Sequence, residues 1–414
     1  MTPTAKTIAV LGAMDTRGDE VSYVRDAIVT AGMQVITVDL GVLGTPYVTA
    51  DITRDQVAMA GGERLDSLQQ AARAGADRAL ATEAMIRGAQ VVVGQLVEEA
   101  RVDAVIGLGG SSGTTACAEI MRNLPVGLPK LIVTTVAALA PIGDADIALM
   151  QSPVDLIGLN RVVNRTLSRA AGAIVGMTSA RDHRASARRL VGITALGVTT
   201  PAAQAVIERL ATLDIDGVVF HARTTTLNRL ILDGMIDAVI DLTTYEALPL
   251  ACYSDSDLAQ QPHERVPGRD RLSAVRSKAI PWIVAPGGLD MHIVVTNEGA
   301  DGVPERLGGR PTSRHGPGIM LVRSDRDDMT KVADYLAEQI KRSPTAAVVY
   351  PSGGFSDADR PGGPLYDPEI DAIFLARMVA ALPATVTIRR VEAHINSPEF
   401  ADAIVAEFRR LITP

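Results

Sequence analysis

The chain has 414 residues, 47% hydrophobic but only 3% aromatic, and its 40 basic and 48 acidic side chains leave a formal charge of −8. That length exceeds one ordinary core and predicts two large domains packed with Ala, Val, Ile and Leu, not a disordered chain. A nucleic-acid polymer is excluded as a partner by the lack of a basic run or an aromatic-and-arginine stripe. No window approaches the roughly 18 apolar residues of a membrane span. A secretory leader is not expected, because Asp15, Arg17, Asp19 and Glu20 follow Lys6 too soon, so the expected setting is cytoplasmic. Cys117 and Cys252 form no CxxC pair or disulfide framework and read as buried free thiols.

In chain order, "TIAVLGA" predicts a strand, 19–32 a helix and "MQVITVDLG" a second strand. "VDAVIGLGG", a helix over 114–123 and the strand "PKLIVTTVA" follow, then a long helix over 156–180. Apolar runs alternating with helices predict a mostly parallel, doubly wound sheet covered on both faces. The polar segment "SARDHRASARR" marks a boundary, giving domains 1–185 and 186–414. The rhythm then restarts. "RLVGITALGVTTPAAQAVIERLATLDIDGVVFHA" repeats the plan of residues 6–40, "IDAVIDLTT" echoes "VDAVIGLGG", and "AIPWIVAPGG" echoes "LPKLIVTTVA". A repeat this long implies two Rossmann-like domains of related plan. Helices over 326–341, 369–381 and 399–411 separate the last strands, "AAVVYP" and "TVTIRRVEAHI", while the aperiodic stretches 254–272 and 299–318 are candidate lids over a cleft.

Open α/β sheets bind ligands beyond the carboxyl ends of their strands, and the polar clusters fall there. "GLGGSSGTT" offers Gly109, Gly110, Ser111, Ser112, Gly113 and Thr114, bare backbone and hydroxyls running into a helix start, a combination suited to phosphate. It is no Walker A loop, lacking the Lys-Ser/Thr pair, and it misses the dinucleotide fingerprint, since Gly107, Gly109 and Ser112 occupy the three places. Asp15, Thr16 and Arg17 in "AMDTRGD" and Thr135 in "VTTVA" stand at neighbouring strand ends, with Asp15 placed for magnesium or a ribose hydroxyl and Arg17 for phosphate charge. In the second half, His221, Asp241, Glu246, Asp290 and His394 are the acid/base candidates, with alternation putting Glu392 and His394, and Asp290 and His292, on common strand faces. Arg223, Thr224, Thr243, Thr244, Gly288 and His315 are the substrate-binding candidates. No HExxH, CxxC or GxSxG motif directs these groups toward a metal or a nucleophile.

"GLGGSSGTT", together with "AMDTRGDE", "VFHA", "DLTTYE", "GGLDM", "GGPLYDPE" and "HINSPEF", resembles in order the tomato mosaic virus resistance protein-like ATP-binding domain family. The resemblance implies two Rossmann-like domains, a homodimer or higher homo-oligomer, and ATP with Mg²⁺ held chiefly by the first domain. It places the triphosphate on 109–114 and a nucleotide contact on Arg78. The plant member's TIM-barrel domain has no counterpart here, so a barrel partner would be a separate protein. Three departures stand out: Ser112 replaces a loop glycine, "RTTTLNRL" replaces a glycine-rich stretch after His221, and His315-Gly316 replaces a His-Asn pair. The leading expectation is an enzyme of carboxylate or sugar-acid catabolism, with a small anionic substrate at the domain interface. A non-enzymatic ATP-bound regulatory module and an NAD-dependent oxidoreductase are the alternatives.

Overall fold

The computed structural model describes residues 5–73, 78–143, 145–180, 187–221, 224–259, 271–296 and 302–412. The chain divides into two compact units, Met1–Ala185 and Ser186–Pro414. Both are doubly wound α/β units with mostly parallel sheets.

In the first unit, β1 (Thr7–Gly12), β2 (Gln34–Asp39), β3 (Ala104–Gly109), β4 (Lys130–Thr134) and β5 (Ala148–Gln151) form one parallel sheet in the order β2-β1-β3-β4-β5. The alternation of strand side chains builds two cores from these runs. Ile8, Val10, Ile106, Leu108, Leu131 and Val133 pack against the helices Met14–Thr30 and Arg161–Ser179. Ala9, Leu11, Val105 and Ile132 face the helices Arg78–Glu98 and Ser111–Met121. Each fully buried Ile or Leu contributes about 1.5–3 kcal/mol of transfer energy. Gly107 is required for close packing, since a Cβ there would lie 2.5 Å from the Cys117 sulfur. Burial pushes the Cys117 thiol up to about 12, leaving it a core residue and not a nucleophile.

The second unit contains β6 (Arg189–Ala195), β7 (Ile215–His221), β8 (Ala238–Asp241) and β9 (Trp282–Val284), then β10 (Met291–Val295), β11 (Thr312–Gly316) and β12 (Ile319–Arg323), and finally β13 (Ala346–Pro351) and β14 (Thr387–Val391). Its main sheet is parallel throughout, in the order β14-β13-β9-β8-β6-β7. Taken in chain order, those strands lie 2-1-3-4-5-6, the plan of the first unit with one strand added. The repeat in the sequence is therefore a repeat of topology.

Four expected elements end or begin elsewhere. The 114–123 helix starts at Ser111, the 19–32 helix at Met14, and the 156–180 helix at Arg161. Residues 312–323, expected as part of an aperiodic loop and its sequel, complete a three-stranded antiparallel sheet in the order β10-β12-β11. Part of the 254–272 stretch is the helix Asp255–Ala259, while 260–270 and 297–301 lie outside the described residues. β14 stops at Val391, so Glu392 and His394 share no strand face. Asp290 lies in the turn ahead of β10, which places His292 in the antiparallel sheet.

Candidate functional site

In a sheet ordered 2-1-3-4-5, successive connections leave β1 and β3 toward opposite faces and open a crevice beyond their carboxyl ends. Two polar turns of the first unit meet at that crevice. Residues 13–17 follow β1, and Gly109–Gly113 follow β3. Between them lies a cavity of about 590 Å³, within the range of small-molecule sites. Its lining combines the backbone and polar groups of Thr16, Arg17 and the stretch Gly109–Gly113 with the apolar side chains of Leu40, Val42, Met85, Ile86 and Ile120.

The glycines of the loop have different duties. A Cβ on Gly109 would lie 2.3 Å from the Gly113 carbonyl carbon, so only glycine lets the helix start pack on the strand end. A Cβ on Gly110 would meet only Arg17 Nη2 at 3.4 Å and Thr135 Oγ1 at 3.8 Å, so this backbone faces a cation and a hydroxyl across open space. Gly113 has just the Leu108 carbonyl oxygen at 3.6 Å. Gly110 is the N-cap of the helix Ser111–Met121 and no side chain caps it. The first-turn N–H groups therefore project from a positive dipole end without intrahelical partners. Ser111 and Ser112 are exposed on the cavity wall.

Arg17 reaches the cavity because the helix Met14–Thr30 is broken at that residue, with φ −134° and ψ 17°. Its Nη2 lies 3.1 Å from Asp155 Oδ1, and the same oxygen accepts the Leu156 N–H at 2.7 Å. The carboxylate that fixes Arg17 is thus itself fixed. Thr114 is turned inward: its hydroxyl bonds Thr134 Oγ1 at 2.6 Å and is fully buried. Asp15 accepts the Gly44 N–H at 2.9 Å beneath the 40–44 turn, outside the cavity wall. Asp39, whose carboxyl is pushed upward by burial, accepts the N–H groups of Met14 and Gly41 at 2.9 and 2.8 Å. Both acids tie the turns around the crevice together. Arg78 opens the helix Arg78–Glu98, whose Met85 and Ile86 line the cavity, but its side chain lies outside the described residues.

The second unit scatters the remaining candidates. His221 ends the edge strand β7 and is exposed, and His315 is exposed on β11. Arg223 lies outside the described residues. Asp241 accepts two hydrogen bonds from Arg271, at 2.9 and 2.7 Å, and one from Thr194 at 2.9 Å. Glu246, pushed upward by burial, receives the Thr224 N–H and stands 3.6 Å from Arg271 Nε. Thr243 bonds Thr199 at 2.7 Å, and Thr244 donates to the Ala285 carbonyl. Gly288 turns the chain at φ +74° and donates its N–H to the Phe355 carbonyl. His394 has both ring nitrogens engaged, one donating to the Ser356 carbonyl and the other accepting the Asn396 N–H. These partners engage most of the polar atoms of this interior, leaving Thr224 Oγ1 and Arg271 Nε without a hydrogen bond. Asp290 is fully buried, with Oδ2 accepting the Ser356 hydroxyl and Oδ1 without a hydrogen-bond partner. Sequence reading missed Asp155 and Arg271, whose partners lie 138 and 30 residues away, and the buried chain Tyr253–His292–Asp328, with both hydrogen bonds at 2.9 Å.

Fold and site together define a protein of two Rossmann-like units whose first unit carries an open, glycine-walled crevice at its topological switch point. Residues 6–183 match the N-terminal domain, and 188–412 the C-terminal domain, of an uncharacterised protein family, UPF0261. The chain belongs to that family. A UPF0261 protein of Rhizobium meliloti (strain 1021) is 33% identical over 424 residues, covering 99% of this chain and all of that protein. Another from Clostridium tetani is 32% identical, covering 96% and 97%. The ToMV resistance protein Tm-1(GCR237) of Solanum lycopersicum is 32% identical over 352 residues, 80% of this chain and 44% of the tomato protein. Among solved structures, an S. aureus MnaA–UDP co-structure aligns with 67% of this chain and 78% of its own at 10% identity and a TM-score of 0.20, too low to bear on function. No described helix is long and apolar enough to cross a membrane.

Proposed function

We propose that the first unit binds a nucleotide by its phosphates, with ATP and Mg²⁺ the ligands that the family resemblance implies. The observation that carries this reading is the meeting, at one crevice, of an uncapped helix start, the open face of Gly110 and the Arg17 guanidinium, together with apolar side chains. The polar part of the lining suits phosphate and the apolar part suits a base, a combination common in cofactor sites. Mg²⁺ would ride on the phosphates, neutralising charge there, because among the described residues no group of three or more His, Cys, Asp or Glu converges on a metal position.

A dinucleotide fits less well. Its ribose is ordinarily held by the acid closing the second strand, and here that acid, Asp39, is buried and engaged by two backbone N–H groups. On this reading the chain is an ATP-dependent enzyme acting on a small anionic substrate, with a homo-oligomer and a separate TIM-barrel protein as further proposed associations. The non-enzymatic module is favoured by one feature, the locking of Asp241 and His394 into structural hydrogen bonds. Calorimetric titration of the full chain with ATP, with and without Mg²⁺, and with NAD tests the binding claim. ATP heat that vanishes in Gly110→Asp is expected; NAD binding without ATP binding overturns it. ATP hydrolysis in the presence of candidate carboxylates separates enzyme from module.

A further inference from the structure

The second unit buries three carboxylates around one guanidinium. Asp290 precedes β10, Asp359 lies in the loop after β13, Asp371 belongs to the helix Pro368–Ala381, and Arg323 ends β12. None is more than 3% exposed. Were all four ionised, the cluster would hold an uncompensated charge of −2 away from water, a cost of several kcal/mol per unpaired ion even after relaxation.

The hydrogen bonds show where the difficulty concentrates. Asp359 Oδ2 accepts the Phe355 N–H at 2.8 Å, and Asp371 Oδ1 accepts Arg323 Nη2 at 2.5 Å. Asp290 Oδ2 accepts the Ser356 hydroxyl at 2.7 Å. Three oxygens are left over: Asp359 Oδ1, Asp371 Oδ2 and Asp290 Oδ1 meet no donor group, and Arg323 Nε meets no acceptor. The Asp359 and Asp371 side chains are hydrogen-bond neighbours. Two neighbouring ionised carboxylates are acceptors only and repel; a single proton between them makes a strong O–H···O⁻ bond.

We propose that Asp359 and Asp371 share one buried proton, and that this pair is a pH-sensitive latch fastening the 352–367 loop onto the helix Pro368–Ala381. The loop's shape depends on Asp359. Gly354 turns at φ +113°, and a Cβ there would lie 1.7 Å from the Asp359 carbonyl oxygen. Asp359 then returns hydrogen bonds to Ser356 and Phe355, and Leu365 donates to the Ala358 carbonyl. Burial, then the charge of Asp359, push Asp371 far above the usual carboxylate range, against the pull of Arg323. Burial and Asp359 do the same to Asp290, against Ser356 and Arg323. Tyr350 of β13 faces the same acids and is itself pushed upward by burial and Asp371, while Arg390 of β14 pulls it down. A carboxyl raised in the folded state contributes stability that is complete below the ordinary carboxyl range and is lost as pH rises through the folded value. The latch is therefore closed in mildly acidic and neutral solution and opens on the alkaline side.

Hydrogen exchange of the full chain tests this, with rates divided by the intrinsic rate at each pH. Protection of the 352–366 peptide is expected to fall at least roughly tenfold from about pH 6 to about pH 10, while β6 and β8 peptides hold theirs. Asp371→Asn, neutral at every pH and able to donate an amide N–H to Asp359, is expected to remove most of that pH dependence. Equal protection of the loop across the range in the wild-type chain overturns the proposal even if the variant does not fold. So does a loop whose protection answers to Ca²⁺, Mg²⁺ or EDTA and not to pH, which would make the cluster a cation site.

Discussion

The two units share a strand order at their switch points and use them in opposite ways. Beyond β1 and β3, the helix start at Ser111 has no side-chain cap and a cavity stands in front of it. Beyond β6 and β8, polar groups engage one another at the start of the helix Thr200–Ala211, which follows β6 as Met14–Thr30 follows β1. The Asn396 side chain accepts the first-turn N–H of Ala202 and donates to the Val198 carbonyl. Thr199 closes on Leu196 and Thr243, Thr194 bridges to Asp241, and Arg271 completes the network. One topology thus yields a crevice open in front of a helix start and an interior whose polar groups largely engage one another, and the difference lies in a few residues and not in the fold. The helix start at Ser111 has no side-chain cap, whereas the first turn of the helix at Thr200 receives the Asn396 side chain.

That contrast can be broken from either side. Arg271→Leu removes one partner of a pair no more than 2% exposed and leaves the Asp241 carboxylate buried without a counter-charge, held only by Thr194. It is expected to destabilise the second unit by about 3–5 kcal/mol in urea unfolding, with ATP affinity at the first unit unchanged. Gly110→Asp acts in the reverse sense: ATP affinity falls by about a hundredfold or more in calorimetry, while the unfolding transition barely moves, because the site has open space but not for a second anion. Asn396→Ala strips the cap from the second unit's helix and is expected to cost about 1 kcal/mol in thermal or urea unfolding. Asp155→Asn gives the smallest effect. Releasing Arg17 from a half-exposed carboxylate raises ATP affinity by about two- to fivefold at low ionic strength, and the gain fades with added salt.

Much of this was legible because it rests on local periodicity. The buried runs of β1, β3 and β4 announced a two-faced parallel sheet, and the echoing strings announced its repeat. The glycine loop was legible as a strand-to-helix turn for a local reason, since glycine at a strand end lets a helix start pack closely on it. Its register was not, since Ser111, Ser112 and Gly113 read as loop residues by propensity although they form the first turn of the helix. β11 escaped notice because "TSRHG" is a largely exposed edge strand without an apolar face. His394 looked like a strand-end ligand, but the strand stops three residues earlier and both ring nitrogens serve the turn. Asp155 and Asn396 acquire meaning only through partners 138 and 194 residues away, which no local pattern records.

Hydrogen exchange at the two helix starts, with and without Mg²⁺ and ATP, puts the central contrast to its most direct test. Amides spanning 109–115 should gain protection on nucleotide addition while those spanning 196–202 stay as they were. Unchanged exchange at 109–115 under saturating ATP, or a gain confined to 196–202, would contradict the account.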